Sequence, residues 1–110
     1  MNATESTVTQ LDRESFDEFV SESGHPVLVD VSTEWCPPCR VMAPLVQQVA
    51  KQFAGQLKVG VVDSDEQMEL ARRLKINAIP TFFIYRNGEV VDRFQGIISR
   101  EKLLEKLGLA

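Results

Sequence analysis

The stretch Val27-Leu28-Val29-Asp30-Val31, followed by Ser32-Thr33-Glu34 and then by Trp35-Cys36-Pro37-Pro38-Cys39-Arg40, decides how the rest of the chain is read. Five residues that are apolar but for one carboxylate have the length and composition of a strand buried on both faces. From Cys36 to Phe53 the period changes to 3.6, with Met42, Leu45, Val46, Val49 and Phe53 on one helical face. A buried strand that hands over to an amphipathic helix is the start of a βαβ unit, which implies a parallel pair. Pro44 falls inside this helix. It lacks an N–H and crowds the preceding turn, so a kink is predicted there.

The chain extends from that unit in both directions. Upstream, Asp12 is a candidate helix cap, Phe16, Phe19 and Val20 share a helical face, and Gly24 is a candidate stop. Residues 1–7 read as a polar, partly flexible lead, with a short edge strand near Val8. Downstream, Leu57 to Val62 is a second buried strand. Ser64 with Gln67 offers a capping box for a short helix whose packed face is Met68, Ala71 and Leu74. Phe82 to Tyr85 is a third strand, and Asn87-Gly88 is the strongest hairpin signal in the chain, with Val90, Val91 and Phe94 as the returning strand. Ser99 caps a last helix that turns Leu103, Leu104 and Leu107 inward and stops near Gly108. The order (β)αβαβαββα gives an α/β fold: one mixed central sheet with helices on both faces, and a single domain over residues 1–110.

Bulk properties exclude several functions. Of 110 residues, 12 are basic and 16 acidic, a net charge of −4, and the basic residues are scattered. That argues against a nucleic-acid partner, which would want a basic patch. The apolar runs are strand-sized, so no membrane segment is expected. The first ten residues lack the basic-then-apolar pattern of a secretory leader, and the expected location is the cytoplasm. The domain is large enough to fold without a cross-link or a metal.

The chemistry is concentrated at Cys36 and Cys39, the only cysteines. Residues three apart on a helix lie on one face, with Cα atoms about 5 Å apart, which suits a disulfide that opens and closes with little movement. Cys36, at the helix N-terminus, meets unpaired N–H groups and the positive end of the dipole. Its pKa should fall below the free value of about 8.5, and it should be the more exposed sulfur and the attacking nucleophile. Cys39, one turn in, is the resolving thiol. Asp30, in an apolar strand leading to this pair, is either turned to a solvated face or a buried acid. In the second case desolvation raises its pKa and fits it to take the proton of Cys39. A structural zinc would need four ligands, and this pair supplies two, so no metal is expected. A purely structural cross-link would close too small a loop to stabilise much. His25, Phe16, Phe53, Phe82, Phe83, Met42 and Met68 have plain structural readings: a surface imidazole, aromatic core and core fillers. Trp35, directly before the nucleophile in a loop, is expected to cover the site or meet partners.

Taken together, Val27-Leu28-Val29-Asp30, then Glu34-Trp35-Cys36-x-Pro38-Cys39-x-x-x-x-Pro44, Asp63, Ile79-Pro80-Thr81, Asn87-Gly88 and Gly96 resemble the thioredoxin family over nearly the whole chain. The resemblance implies the thioredoxin fold and a protein-disulfide reductase acting through Cys36 and Cys39. It implies a cis bond before Pro80, which spacing alone would not suggest, and places Pro80 beside the dithiol. It implies a docking surface of Trp35, Pro37, Ala78, Ile79, Pro80, Gln95, Gly96 and Ile97. The expected partners are disulfide-containing proteins and a thioredoxin reductase. No cofactor is expected to be bound, electrons come from NADPH through that flavoprotein, and the protein is expected to be monomeric.

Four residues depart from the family's usual pattern. Pro37 with Pro38 replaces Gly-Pro between the cysteines; Pro37 suits the first helical position but deletes an N–H near Cys36, so both prolines tune the site. Ser32 stands where a tryptophan is usual, Val61 where a lysine close to the buried acid is frequent, and Ala78 where a glycine is usual. Without that lysine a more strongly raised Asp30 pKa is expected. The alternatives to a general reductase are a specialised thiol oxidoreductase with a dedicated partner or reductase, and a thioredoxin-fold subunit that grips a larger protein through the same surface.

Overall fold

The computed structural model describes residues 8–110, so the polar lead assigned to residues 1–7 lies outside the described residues. The elements run β1 (Val8–Gln10), α1 (Phe16–Val20), β2 (Val27–Ser32), α2 (Pro37–Gln52), β3 (Lys58–Asp63), α3 (Met68–Arg73), β4 (Thr81–Arg86), β5 (Glu89–Gln95) and α4 (Arg100–Leu107). They build one five-stranded sheet in the order β1-β3-β2-β4-β5. The first three strands are parallel, whereas β4 and β5 run antiparallel to their neighbours. This is the α/β architecture with a mixed sheet that the sequence pattern implies.

Strand β2 is central and buried from Val27 to Val31, as its unbroken apolar run requires. Its residues divide the core in two. Leu28 joins Met42, Val46 and Val49 of α2 and Leu103 and Leu107 of α4 on one face. Val27, Val29 and Val31 join Phe16 and Val20 of α1 and Leu70 of α3 on the other. Gly60 on β3 makes the second layer tight: a Cβ there would come within 2.5 Å of Leu11 and 2.9 Å of the Phe19 ring.

Local chemistry sets the boundaries. Asn87 (φ 54°) and Gly88 (φ 83°) both take positive φ, the turn that matches the twist of a two-residue hairpin. Ser99 Oγ accepts from the Lys102 N–H, and Gly108 closes α4 in the left-handed region. Asp12 Oδ1 accepts from the Ser15 N–H while Ser15 Oγ accepts from the Asp12 N–H, a reciprocal pair that starts the turn into α1. Helix α2 runs through Pro44.

Three expectations are corrected. Helix α1 ends at Val20 with Ser21 as its cap, and Gly24 (φ 91°) serves the turn beyond. The Ser64/Gln67 capping box does not form. Instead Asp63 Oδ1 accepts from the N–H groups of Asp65 and Glu66, so a carboxylate at the strand end outcompetes the weaker hydroxyl acceptor. Met68 is not a core filler: as the first residue of α3 it is 60% exposed, and Leu70 holds the buried position.

One long-range tie fixes the loop before β4. From edge strand β5, Arg93 donates to the carbonyl oxygens of Leu74 (3.0 Å) and Lys75 (2.7 Å) while its guanidinium lies 4.9 Å from the Phe83 ring centre. Lys75 itself has φ 57°.

Candidate active site

Cys36 and Cys39 form a disulfide with Cα atoms 5.2 Å apart. Cys36 is the N-cap of α2 with extended backbone, and the helix begins at Pro37. The sulfur thus sits where a capping side chain would, and Cys36 Sγ accepts from the Cys39 N–H at 3.3 Å. Pro37 and Pro38 occupy the first two helical positions and carry no N–H. Of the three leading helical residues only Cys39 therefore has a backbone donor to offer the sulfur.

The expected asymmetry in exposure is absent in this disulfide form: Cys36 is 3% exposed and Cys39 4%. The physical reason is the loop on the far side, where Ile79–Pro80 is cis, Pro80 is buried, and the carbonyl oxygen of Ile79 lies 3.8 Å from Cys36 Sγ. Around the pair, Trp35, Pro37, Ala78, Gln95 and Ile97 are exposed, while Ile79 and Gly96 are half-buried. Trp35 is 64% exposed and donates its indole N–H to Asp65 Oδ2 at 2.7 Å. Gln95 donates to Asn77 Oδ1, and the Gly96 N–H donates to the Pro80 carbonyl at 3.0 Å, so β5 supports the cis-proline loop directly. Asp65 is the residue that sequence reading missed. Its signal was available only as an exposed carboxylate after β3, a common surface feature.

Asp30 is buried, on the face of β2 that looks toward α2. Its register partner on β3 is Val61 and on β4 is Phe82, neither of which can pair with a carboxylate. Desolvation pushes its carboxyl up to about 7, with the Ser32 hydroxyl offsetting part of the rise. Asp30 Oδ1 and Thr33 Oγ1 are buried without a hydrogen-bond partner among the described residues. Asp30 and Cys39 both line a cleft of about 730 Å³ that also reaches Ser32, Pro44 and Val61. His25 is 45% exposed, 3.6 Å from Glu22, and outside the site. Among the described residues no cluster of His, Cys, Asp or Glu could hold a metal.

A disulfide-linked cysteine pair at the start of a helix that follows a buried parallel strand, with a cis-proline loop against it, defines the class of thiol–disulfide exchange domains. The thioredoxin family model matches residues 7–108. The chain is 37% identical over 93 residues to thioredoxin Y, chloroplastic, of Oryza sativa subsp. japonica, covering 84% of this chain and 55% of that one. It is 37% identical over 102 residues to thioredoxin 1 of Nostoc sp., covering 93% and 95%. To thioredoxin 1 of Synechococcus elongatus it is 40% identical over 93 residues, covering 84% and 87%. The chain spans about 55% of the length of the chloroplastic relatives and nearly all of the Nostoc one. The chain belongs to the thioredoxin family, and its cysteine pair at disulfide distance supports dithiol–disulfide exchange.

Proposed function

We propose that this protein is a protein-disulfide reductase. The observation that carries the reading is the Cys36–Cys39 disulfide capping α2 beside the cis Ile79–Pro80 bond. In the reduced protein the Cys36 thiolate attacks one sulfur of a target disulfide. A mixed disulfide forms, the target's S–S bond breaks, and its departing thiolate takes a proton from solvent. Cys39 then gives its proton to the Asp30 carboxylate, which lines the same cleft, and attacks Cys36 Sγ. The second target thiolate leaves, and two electrons have passed from the dithiol to the target.

An extended segment of the target docks on Trp35, Pro37, Ala78, Ile79, Gln95, Gly96 and Ile97, where apolar area is exposed around the sulfurs and the half-buried Ile79 presents backbone. Pro80 holds that loop against the pair. Electrons return from NADPH through a flavoprotein thioredoxin reductase. The proposed setting is a reducing compartment, the cytoplasm, with the protein as a monomer. Both cysteines of the chain are committed to the reactive pair, and none is left for a structural cross-link. Among the described residues no helix is long and apolar enough to cross a membrane.

The test is NADPH oxidation in the presence of a bacterial thioredoxin reductase and insulin. Rapid turnover supports a general reductase. Turnover only when dithiothreitol replaces the reductase assigns a different electron donor, and silence in both assays overturns the reading.

A further inference from the structure

The cleft beside Asp30 is larger than proton transfer requires. At about 730 Å³ it has the volume of a small-molecule site, whereas a single water occupies about 30 Å³ in the liquid. Its apolar wall includes Ala43, Pro44, Val46 and Val61. Its charge is one-sided: Asp12, Asp30, Glu34, Asp63 and Glu66 line it against the single guanidinium of Arg40, among the described residues. These groups come from the β1–α1 turn, β2 and the loop after it, α2, and the end of β3 with its turn, while β1 adds only the uncharged Val8 and Gln10. Hydrogen bonds from Ser15 hold Asp12 below the usual carboxylate range, so it stays ionised.

The carboxylates do not converge on a point that could hold a metal ion. They are strung along a cleft, with one buried member and the others at or near the surface. The buried member, Asp30, has an oxygen with no partner, and so does the Thr33 hydroxyl beside the same cleft. Burying such groups unpaired is unfavourable, and a ligand that donates hydrogen bonds to them recovers that loss. Val61, which faces Asp30 across the β2–β3 register, offers only methyl groups. An elongated organic cation matches the acidic and apolar walls away from Arg40: an ammonium head for Asp30 and Thr33, a methylene stem for the apolar side, and a second positive charge for the carboxylates at the rim.

We propose that this cleft is a binding site for short aliphatic diamines, seated with one ammonium on Asp30 and the other among Asp12, Glu34, Asp63 and Glu66. The site stands on geometry and charge and is independent of the reductase reading. One consequence does rest on that reading. A diamine paired with Asp30 makes the carboxylate a weaker base toward Cys39, so release of a mixed disulfide slows.

The probe is putrescine, titrated calorimetrically into the oxidised protein, in which neither cysteine titrates. Saturable binding is expected, with none for butanol, the neutral molecule of similar length. Asp30→Asn and Val61→Lys should each weaken putrescine at least about tenfold, the first by removing the buried charge and the second by filling the site with a tethered ammonium. Repeating the titration in buffers of different ionisation enthalpy reads the proton balance. Near and below the Asp30 pKa of about 7, binding should expel a proton, and Asp30→Asn should abolish that release. The proposal is overturned if putrescine does not saturate, or if Asp30→Asn and Val61→Lys bind it as the parent does, which would place the amine on surface carboxylates. Since binding is measured on the oxidised protein without a target, a failed insulin assay and a failed titration are separate results.

Discussion

The redox pair has two sides, and they are built to different standards. On the side of β4 and β5, polar backbone and side chains near the sulfurs are matched: the Gly96 N–H reaches the Pro80 carbonyl, Gln95 reaches Asn77, and Arg93 ties down the preceding loop. On the side of β1 and β3, one oxygen of the Asp30 carboxyl and the Thr33 hydroxyl are buried without partners beside a cleft. On the proposed function, the first side holds the shape against which a target docks. The second holds a proton-accepting group in an environment that disfavours its charge. A satisfied network is rigid, and an unsatisfied one is reactive.

The comparison breaks hardest at the sulfurs. Cys36→Ser should reduce insulin turnover to the uncatalysed background, whereas Cys39→Ser should leave a mixed disulfide with the target that mass spectrometry detects. Next in size, Asp30→Asn should slow release of that mixed disulfide on the order of 10²-fold. The same variant tests the price of burial. With a folded pKa near 7 and an ordinary value of 3.8, folded protein holds more protons than unfolded protein between those values. Stability therefore falls as pH rises from about 4 to about 7 and is flat beyond, a loss of roughly 4 kcal/mol if Asp30 acts alone. Asp30→Asn should lack this slope in denaturant titrations and be the more stable protein at pH 8.

Three smaller effects sharpen the contrast. Val61→Lys places a cation across the register from Asp30 and should move the midpoint of its titration down by about 1 to 3 on the pH scale. An unchanged NMR titration of the carboxyl carbon would show that the unsatisfied side does not set the pKa. Pro37→Gly restores an N–H at the helix start, where only Cys39 now donates to Cys36 Sγ. It should stabilise the thiolate and raise the reduction potential by on the order of 30 mV, read by equilibration with glutathione. Asp65→Ala frees the indole of Trp35, an exposed contact, and should change kcat/KM for insulin by no more than about threefold.

Much of this was legible in the chain because it rests on local rules. The buried run of β2, the 3.6 period of α2, the Asn87-Gly88 turn and the Ser99 cap each follow from a few adjacent residues. What was not legible depends on contacts across the sheet. Cys36 is as buried as Cys39 because a loop 43 residues away closes over it. The Ser64/Gln67 box gives way to a turn because the end of β3 aims the Asp63 carboxylate at the amides of Asp65 and Glu66, and α3 starts later without a side-chain cap. Met68 fits the periodicity of a packed face, yet α3 starts there, and the helix turns Leu70 rather than Met68 into the core. The partner of Trp35 and the extent of the cleft arise only when β1, β2, β3 and α2 converge.

The Arg93 tie has a consequence for association. A recognition loop that is loose before docking gives up conformational freedom when a partner arrives, and that loss is subtracted from affinity. Here the segment leading to Ala78, Ile79 and Pro80 is clamped from the edge strand at Leu74 and Lys75. Its freedom was surrendered once, when the chain folded. If targets dock there as proposed, encounter becomes a meeting of one flexible partner with one fixed surface, and selectivity among targets then rests on their own willingness to extend.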